Sequence, residues 1–131
     1  LPVDVYGQFI GTELATLSDG LTYVSMPAVA VLPPQPKEIS LSVKEITLSP
    51  ALASELKTAS PHVALINERV HDRIRTQYTL DDELKLARIS IGALQNIYTP
   101  STSDLQAASE YQIAVESARI WGRAEKAKLG L

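Results

Sequence analysis

Few side chains in this sequence are of the kinds that do chemistry, and their spacing limits what they can do together. Glu68 and His71 stand three residues apart, the local spacing of a carboxylate-bridged di-metal site on one helix face. Such a site needs a second copy of the pair and two further inward carboxylates. The other histidine, His62, follows no suitable glutamate, and Glu68 and His71 both lie off the neighbouring apolar stripe. A solvated polar face explains them. Asp81-Asp82-Glu83 would attract a divalent cation weakly, but negative charge in the first turn of a helix is stabilising without any ion. A hydrolytic triad would have to pair His62 or His71 with a serine, yet there is no Gly-x-Ser-x-Gly elbow and no cysteine nucleophile. Glycine-rich phosphate-binding patterns are missing as well. The expectation is a protein that is not an enzyme and carries no cofactor and no metal.

Basic side chains are the groups through which the chain would engage nucleic acid. Arg69, Arg73 and Arg75 make a modest cluster, and such clusters are more often a solvated face than a phosphate contact. Leu80 to Gln95, followed by a proline-containing loop and another helix, resembles a helix-turn-helix at first sight. That motif needs a glycine-like turn four residues after a small residue; counting four from Ala87 lands on Ile91, not Gly92. Net charge is −3, with Asp4, Glu13, Asp19, Glu38 and Glu45 against Lys37 and Lys44 in residues 1–48 and an even balance beyond. Neither part has a basic footprint, which weighs against nucleic acid.

The elements that hold these residues change character at Leu32-Pro33-Pro34-Gln35-Pro36. Upstream, Leu14–Leu17, the turn Ser18-Asp19-Gly20 and Leu21–Met26 have the form of a β-hairpin. Val29–Leu32 reads as a further short strand, kept to an edge by Pro27 and Pro33, which lack the amide hydrogen a ladder needs. A hairpin with an edge segment is marginal in water and must lean on another surface. Pro33, Pro34 and Pro36 favour an extended, semi-rigid spacer. After it, Ile39, Leu41 and Val43 alternate with Ser40, Ser42 and Lys44, predicting one more strand that slips register near Glu45.

Four helices are expected next. Ser49-Pro50 and Ser60-Pro61 each pair an N-cap serine with proline at the first helical position. The first runs from Pro50 to about Thr58 and buries Leu52 and Leu56. The second runs from Pro61 to about Tyr78 with Val63, Ile66, Val70, Ile74 and Tyr78 along one side. The third is capped by Thr79, with Asp82 closing a capping box. Its residues Leu80, Leu84, Ala87, Ile91, Leu94 and Tyr98 follow a heptad seam that Pro100 stops. The fourth, from Ser101 or Ser103 to Lys128, carries Ala107, Tyr111, Ala114, Ala118 and Trp121 at the same spacing and ends at Gly130. Leu105, Ala108, Ile113, Val115 and Ile120 widen its apolar face, which implies burial on more than one side. Short connections predict antiparallel neighbours.

Of the 131 residues, 45% are hydrophobic but only 5% aromatic, so Ala, Leu, Ile and Val must fill the core. Trp121 and the five tyrosines suit core corners or interfaces, where one wet end is tolerated. No apolar run approaches the ~20 residues needed to span a bilayer, so no membrane is expected. The chain opens on Leu1 rather than Met, as a trimmed, processed or partly observed protein would.

Three stretches carry a family resemblance: Ile46-Thr-Leu-Ser-Pro50, the run on to Tyr78-Thr-Leu-Asp-Asp-Glu-Leu84, and the closing Trp121-Gly-Arg-Ala-Glu-Lys-Ala-Lys-Leu-Gly-Leu131. Together they resemble small proteins of the tail and virion gene clusters of tailed bacteriophages. The resemblance covers about the last two thirds of the chain, contains no diagnostic motif and carries over no functional residue. It implies a structural or assembly role in the virion. The expected fold class is α+β: a β-hairpin arm and proline-rich spacer over residues 1–36, then a strand and an antiparallel bundle of three to four helices over 37–131. The expected partners are a second copy of the chain or other virion structural proteins. Leu21, Tyr23, Val24 and Met26 on the arm, with Tyr111, Val115 and Trp121 on the last helix, are the candidate interface residues. A small helical regulatory DNA-binding or adaptor protein is the alternative.

Overall fold

A computed structural model describes residues 1–28 and 32–131. The order of elements is β1 (Thr12–Thr16), β2 (Thr22–Ser25), α1 (Lys37–Ser42), α2 (Pro50–Ala59), α3 (Pro61–Gln77), α4 (Leu80–Leu94) and α5 (Thr102–Lys128). Two antiparallel strands followed by helices make the fold α+β. The chain divides into two compact units, one of residues 1–65 with 126–131 and one of Ile66–Glu125.

In the first unit the hairpin forms where the turn residues place it. Gly20 takes φ +78°, its amide donates to the Leu17 carbonyl, and Asp19 Oδ1 accepts from the Leu21 amide at 2.9 Å. Tyr23 donates its hydroxyl to Asp19 Oδ2 at 2.7 Å, which holds the Asp19 carboxyl below its usual range and pushes the Tyr23 phenol up. The ladder pairs Glu13 with Val24 and Ala15 with Tyr23, leaving Leu14 as the extra residue of a bulge. That bulge turns Leu14 inward, where it is buried, and β1 packs against α2, whose Leu56 is buried in turn. The hairpin therefore leans on a helix of its own chain, where the sequence suggested a neighbour. Gly11 enters β1 at φ +95°, and a Cβ there would meet the Ser25 carbonyl at 2.9 Å, so only glycine suits this entry.

Residues 37–42 form helix α1 rather than a strand. Among the described residues the sheet has two strands, and the segment of Ile39 and Val43 pairs with neither. Instead, the Pro36 carbonyl accepts from the Ile39 and Ser40 amides, and the Ser42 hydroxyl donates to the Glu38 carbonyl at 2.7 Å. Residues 43–49 are irregular, so the register slip at Glu45 has no strand to act on. The spacer is also more tightly held than its prolines imply. Gln35 donates to the Val3 carbonyl at 2.9 Å and accepts from the Val3 amide at 2.8 Å. The expected strand Val29–Leu32 falls on residues 29–31, outside the described residues, and Leu32 itself is in no strand.

Helix starts behave as local chemistry dictates, with one exception. Ser49 Oγ accepts from the Leu52 amide, and Thr79 and Asp82 form a complete capping box. Spacing predicts that Ser60 caps α3 through its side chain. It is buried instead, and its Oγ finds no hydrogen-bond partner among the described residues. One residue joins α2 to α3 here, and the Ser60 amide is spent closing α2 on the Leu56 carbonyl. The last helix ends as expected. Gly130 sits at φ +79°, and the Gly130 and Leu131 amides return to the Ala127 and Lys126 carbonyls in a Schellman motif.

In the second unit, Leu86 and Ile89 of α4 meet Ala108 and Tyr111 of α5, with Ile74, Tyr78, Ala107 and Val115 packed around them. The α5 seam read from spacing is the buried one: Tyr111 and Ala118 are buried, and Ala107, Ala114 and Trp121 are half-buried. The α4 seam is not. Leu80, Leu84, Ile91, Leu94 and Tyr98 are exposed, and the helix turns Leu86, Ile89 and Gly92 inward. Helix α4 is apolar on two faces, so spacing alone could not choose between them. It also ends early, at Leu94 rather than beside Pro100. Asn96 adopts φ +54°, and the Ile97 amide reaches the Gly92 carbonyl, closing the helix five residues before the proline.

Candidate interaction surface

The first ten residues build a small loop closed by hydrogen bonds. Asp4-Val-Tyr-Gly7 has the asparate-first, glycine-last pattern of a type I turn, and the Gly7 amide donates to the Asp4 carbonyl at 3.0 Å. Asp4 Oδ1 accepts from the Tyr6 amide at 2.8 Å and the Gln8 amide at 2.9 Å, and Val3 bridges to Phe9 at the base. With the amides of Asp4, Tyr6, Gly7 and Gln8 bonded inside it, the loop holds its shape and presents its side chains. Val5, Tyr6 and Phe9 are 72%, 85% and 70% exposed. Three large apolar groups held this far into solvent are costly to leave uncovered, at ~25 cal/mol per Å² of apolar surface. The sequence reading missed this loop, although Asp4 and Gly7 signalled the turn that builds it.

Among the candidate interface residues, Leu21 is exposed at the hairpin turn, and Tyr23, Val24 and Met26 are half-buried. Met26 lies over Gly11, where it covers the start of β1. The three on α5 serve the chain itself. Tyr111 is buried and Val115 packs against the same core. Burial first, and then its bond to Glu83, pushes the Tyr111 phenol up. Trp121 is half-buried with the Arg73 guanidinium 4.0 Å from its ring centroid.

A second apolar surface runs along α4. Leu84 and Ile91 border an open groove of about 900 Å³, together with Asp81, Lys85, Arg88 and Tyr98. Glu68, His71 and His62 are all exposed. Among the described residues no cluster of three or more His, Cys, Asp and Glu side chains is placed to hold a metal ion. The arginine cluster is largely engaged: Arg73 covers Trp121, and Arg75 pairs with Glu83 at 2.6 Å. No helix among the described residues is long and apolar enough to cross a membrane.

No family model matches this chain, and no curated protein or solved structure matches it either.

Proposed function

We propose that this protein is a non-catalytic assembly component that works through protein–protein contacts, with its N-terminal arm docking on a neighbouring subunit. The observation that carries this reading is the loop of residues 3–9, which holds Val5, Tyr6 and Phe9 in solvent on a backbone whose Asp4, Tyr6, Gly7 and Gln8 amides are bonded within it. A preformed loop loses little entropy on binding, so its apolar area converts efficiently to affinity. Leu21 extends the same kind of surface at the hairpin turn. The setting implied by the family resemblance is a tailed-phage virion, as a tail or head–tail component, with copies of the chain or other virion structural proteins as the neighbours. The DNA-binding alternative is weakened because Arg73 and Arg75 are committed to Trp121 and Glu83.

Two measurements test this reading. A photo-crosslinking residue in place of Tyr6 should join the full chain to a defined neighbour in the producing cell, and Val5→Asp should remove that product. In light scattering, the purified chain should form species larger than a dimer that Val5→Asp and Tyr6→Ser abolish. A chain that crosslinks to nothing at position 6 and never exceeds a dimer is not an assembly component of this kind.

A further inference from the structure

The heptad seam of α4 is legible in the sequence, yet the chain leaves it uncovered. Leu80, Leu84 and Ile91 are 59%, 62% and 56% exposed, while Leu86 and Ile89 supply the face used by the chain's own core. We infer that this seam is the contact surface for a second copy of the chain, with the two α4 helices running antiparallel about a two-fold axis near Lys85. This inference goes beyond the proposed arm docking, since it uses a different surface and names its occupant.

The charges beside the seam select that occupant and that direction. In heptad terms Leu84 and Ile91 take the a positions, Leu80 and Ala87 the d positions, Asp81 and Arg88 the e positions, and Glu83 and Ser90 the g positions. In an antiparallel two-fold pair, seam residues of one copy meet those of the other in reverse order, and e positions face e positions. Setting Leu84 against Ala87 and Leu80 against Ile91 of the second copy brings Asp81 opposite Arg88, and symmetry makes that pair twice. Shifting the register by one heptad would set Arg88 against itself, a like-charge contact. A parallel pair would have to join Glu83 to Arg88 of the second copy. That route is closed, because Glu83 already accepts from Tyr111 at Oε1 and pairs with Arg75 at Oε2. Asp81 and Arg88 are both exposed, and neither side chain has a hydrogen bond or ion pair among the described residues. The open groove beside Leu84, Arg88 and Ile91 gives the second helix room to seat.

The test is a charge swap read by sedimentation equilibrium on the full chain at low salt. The unaltered protein should dimerise reversibly, and Leu84→Asp should reduce the association constant at least tenfold. Asp81→Arg and Arg88→Asp should each do the same alone, since each places like charges together twice. An equimolar mixture of those two variants should recover the original association, and so should the doubly swapped chain. Recovery is unique to the antiparallel register, because a parallel pair would oppose Glu83 to the new carboxylate in the mixture. For charge variants that fail to fold, a spin label at Gln95→Cys, in a chain with no other cysteine, reads the same geometry. Two copies should place their labels about 30 Å apart, at 1.5 Å per residue from the axis, rather than the ~10 Å of a parallel pair. A monomeric chain, a mixture that fails to recover, or labels close together would each overturn the inference. Val5→Asp should leave this dimer intact, so failure of arm docking and failure of the α4 dimer are separately visible.

Discussion

The Tyr111 hydroxyl donates to Glu83 Oε1 at 2.9 Å, tying the middle of α5 to the first turn of α4 across 28 residues of sequence. Glu83 Oε2 meets the Arg75 guanidinium at 2.6 Å, so one carboxylate links three helices. Removing the two ends of the bond should have unequal effects. Tyr111→Phe leaves Glu83 paired with Arg75 and should cost ~1 kcal/mol in urea unfolding. Glu83→Ala strands a buried phenol and an arginine together, and should cost ~2–3 kcal/mol.

Ser49 and Ser60 precede prolines in the same way but should respond oppositely to alanine. Ser49 caps α2 through its hydroxyl, and Ser49→Ala should lower stability by ~1 kcal/mol. Ser60 buries a hydroxyl with no partner among the described residues, so Ser60→Ala should be neutral or stabilising in the same thermal or urea unfolding experiment.

Gly92 and Gly122 are both buried in helices, where alanine is the better helix former by ~1 kcal/mol. At Gly122 a Cβ would stand 2.5 Å from Val70 Cγ2, a stiff β-branched side chain. Gly122→Ala should therefore destabilise by a net ~1–3 kcal/mol. At Gly92 the obstacle is the ring of Tyr98, an exposed side chain able to swing aside. Gly92→Ala should be close to neutral by unfolding.

Acid should unfold the protein partly through its caps. The Thr79 backbone amide, and then its hydroxyl, hold Asp82 below its ordinary value of 3.8. A carboxylate lowered in the folded state stabilises fully above its unfolded value and loses that contribution as pH falls through the folded one. The Asp82 contribution is therefore intact at neutral pH and fades only below 3.8. Asp82→Asn should lower the thermal midpoint at pH 7 and flatten its fall at acid pH. Asp19, held down by Tyr23, and Glu116, held down by Arg123, should leave part of the acid slope in place.

What the sequence determined by itself was chemistry closed within a few residues. The Asp19-Gly20 turn, the Ser49-Pro50 and Thr79–Asp82 helix starts and the Gly130 ending all rest on hydrogen bonds spanning five residues or fewer. Their donors and acceptors are neighbours in the chain, so spacing is enough to read them. Tertiary structure decided the rest. It put Leu86 and Ile89 rather than Leu84 and Ile91 in the core, because Tyr111 and Ala108 lie on a distant helix that spacing cannot locate. It made residues 37–42 helical, since an alternating pattern becomes a strand only when it pairs with another, and here the Pro36 carbonyl and Ser42 hydroxyl close helical turns instead. It also buried Ser60 at the one-residue link between two helices, where its hydroxyl meets no partner among the described residues. Periodicity names the faces a helix can bury; contacts from far along the chain choose one.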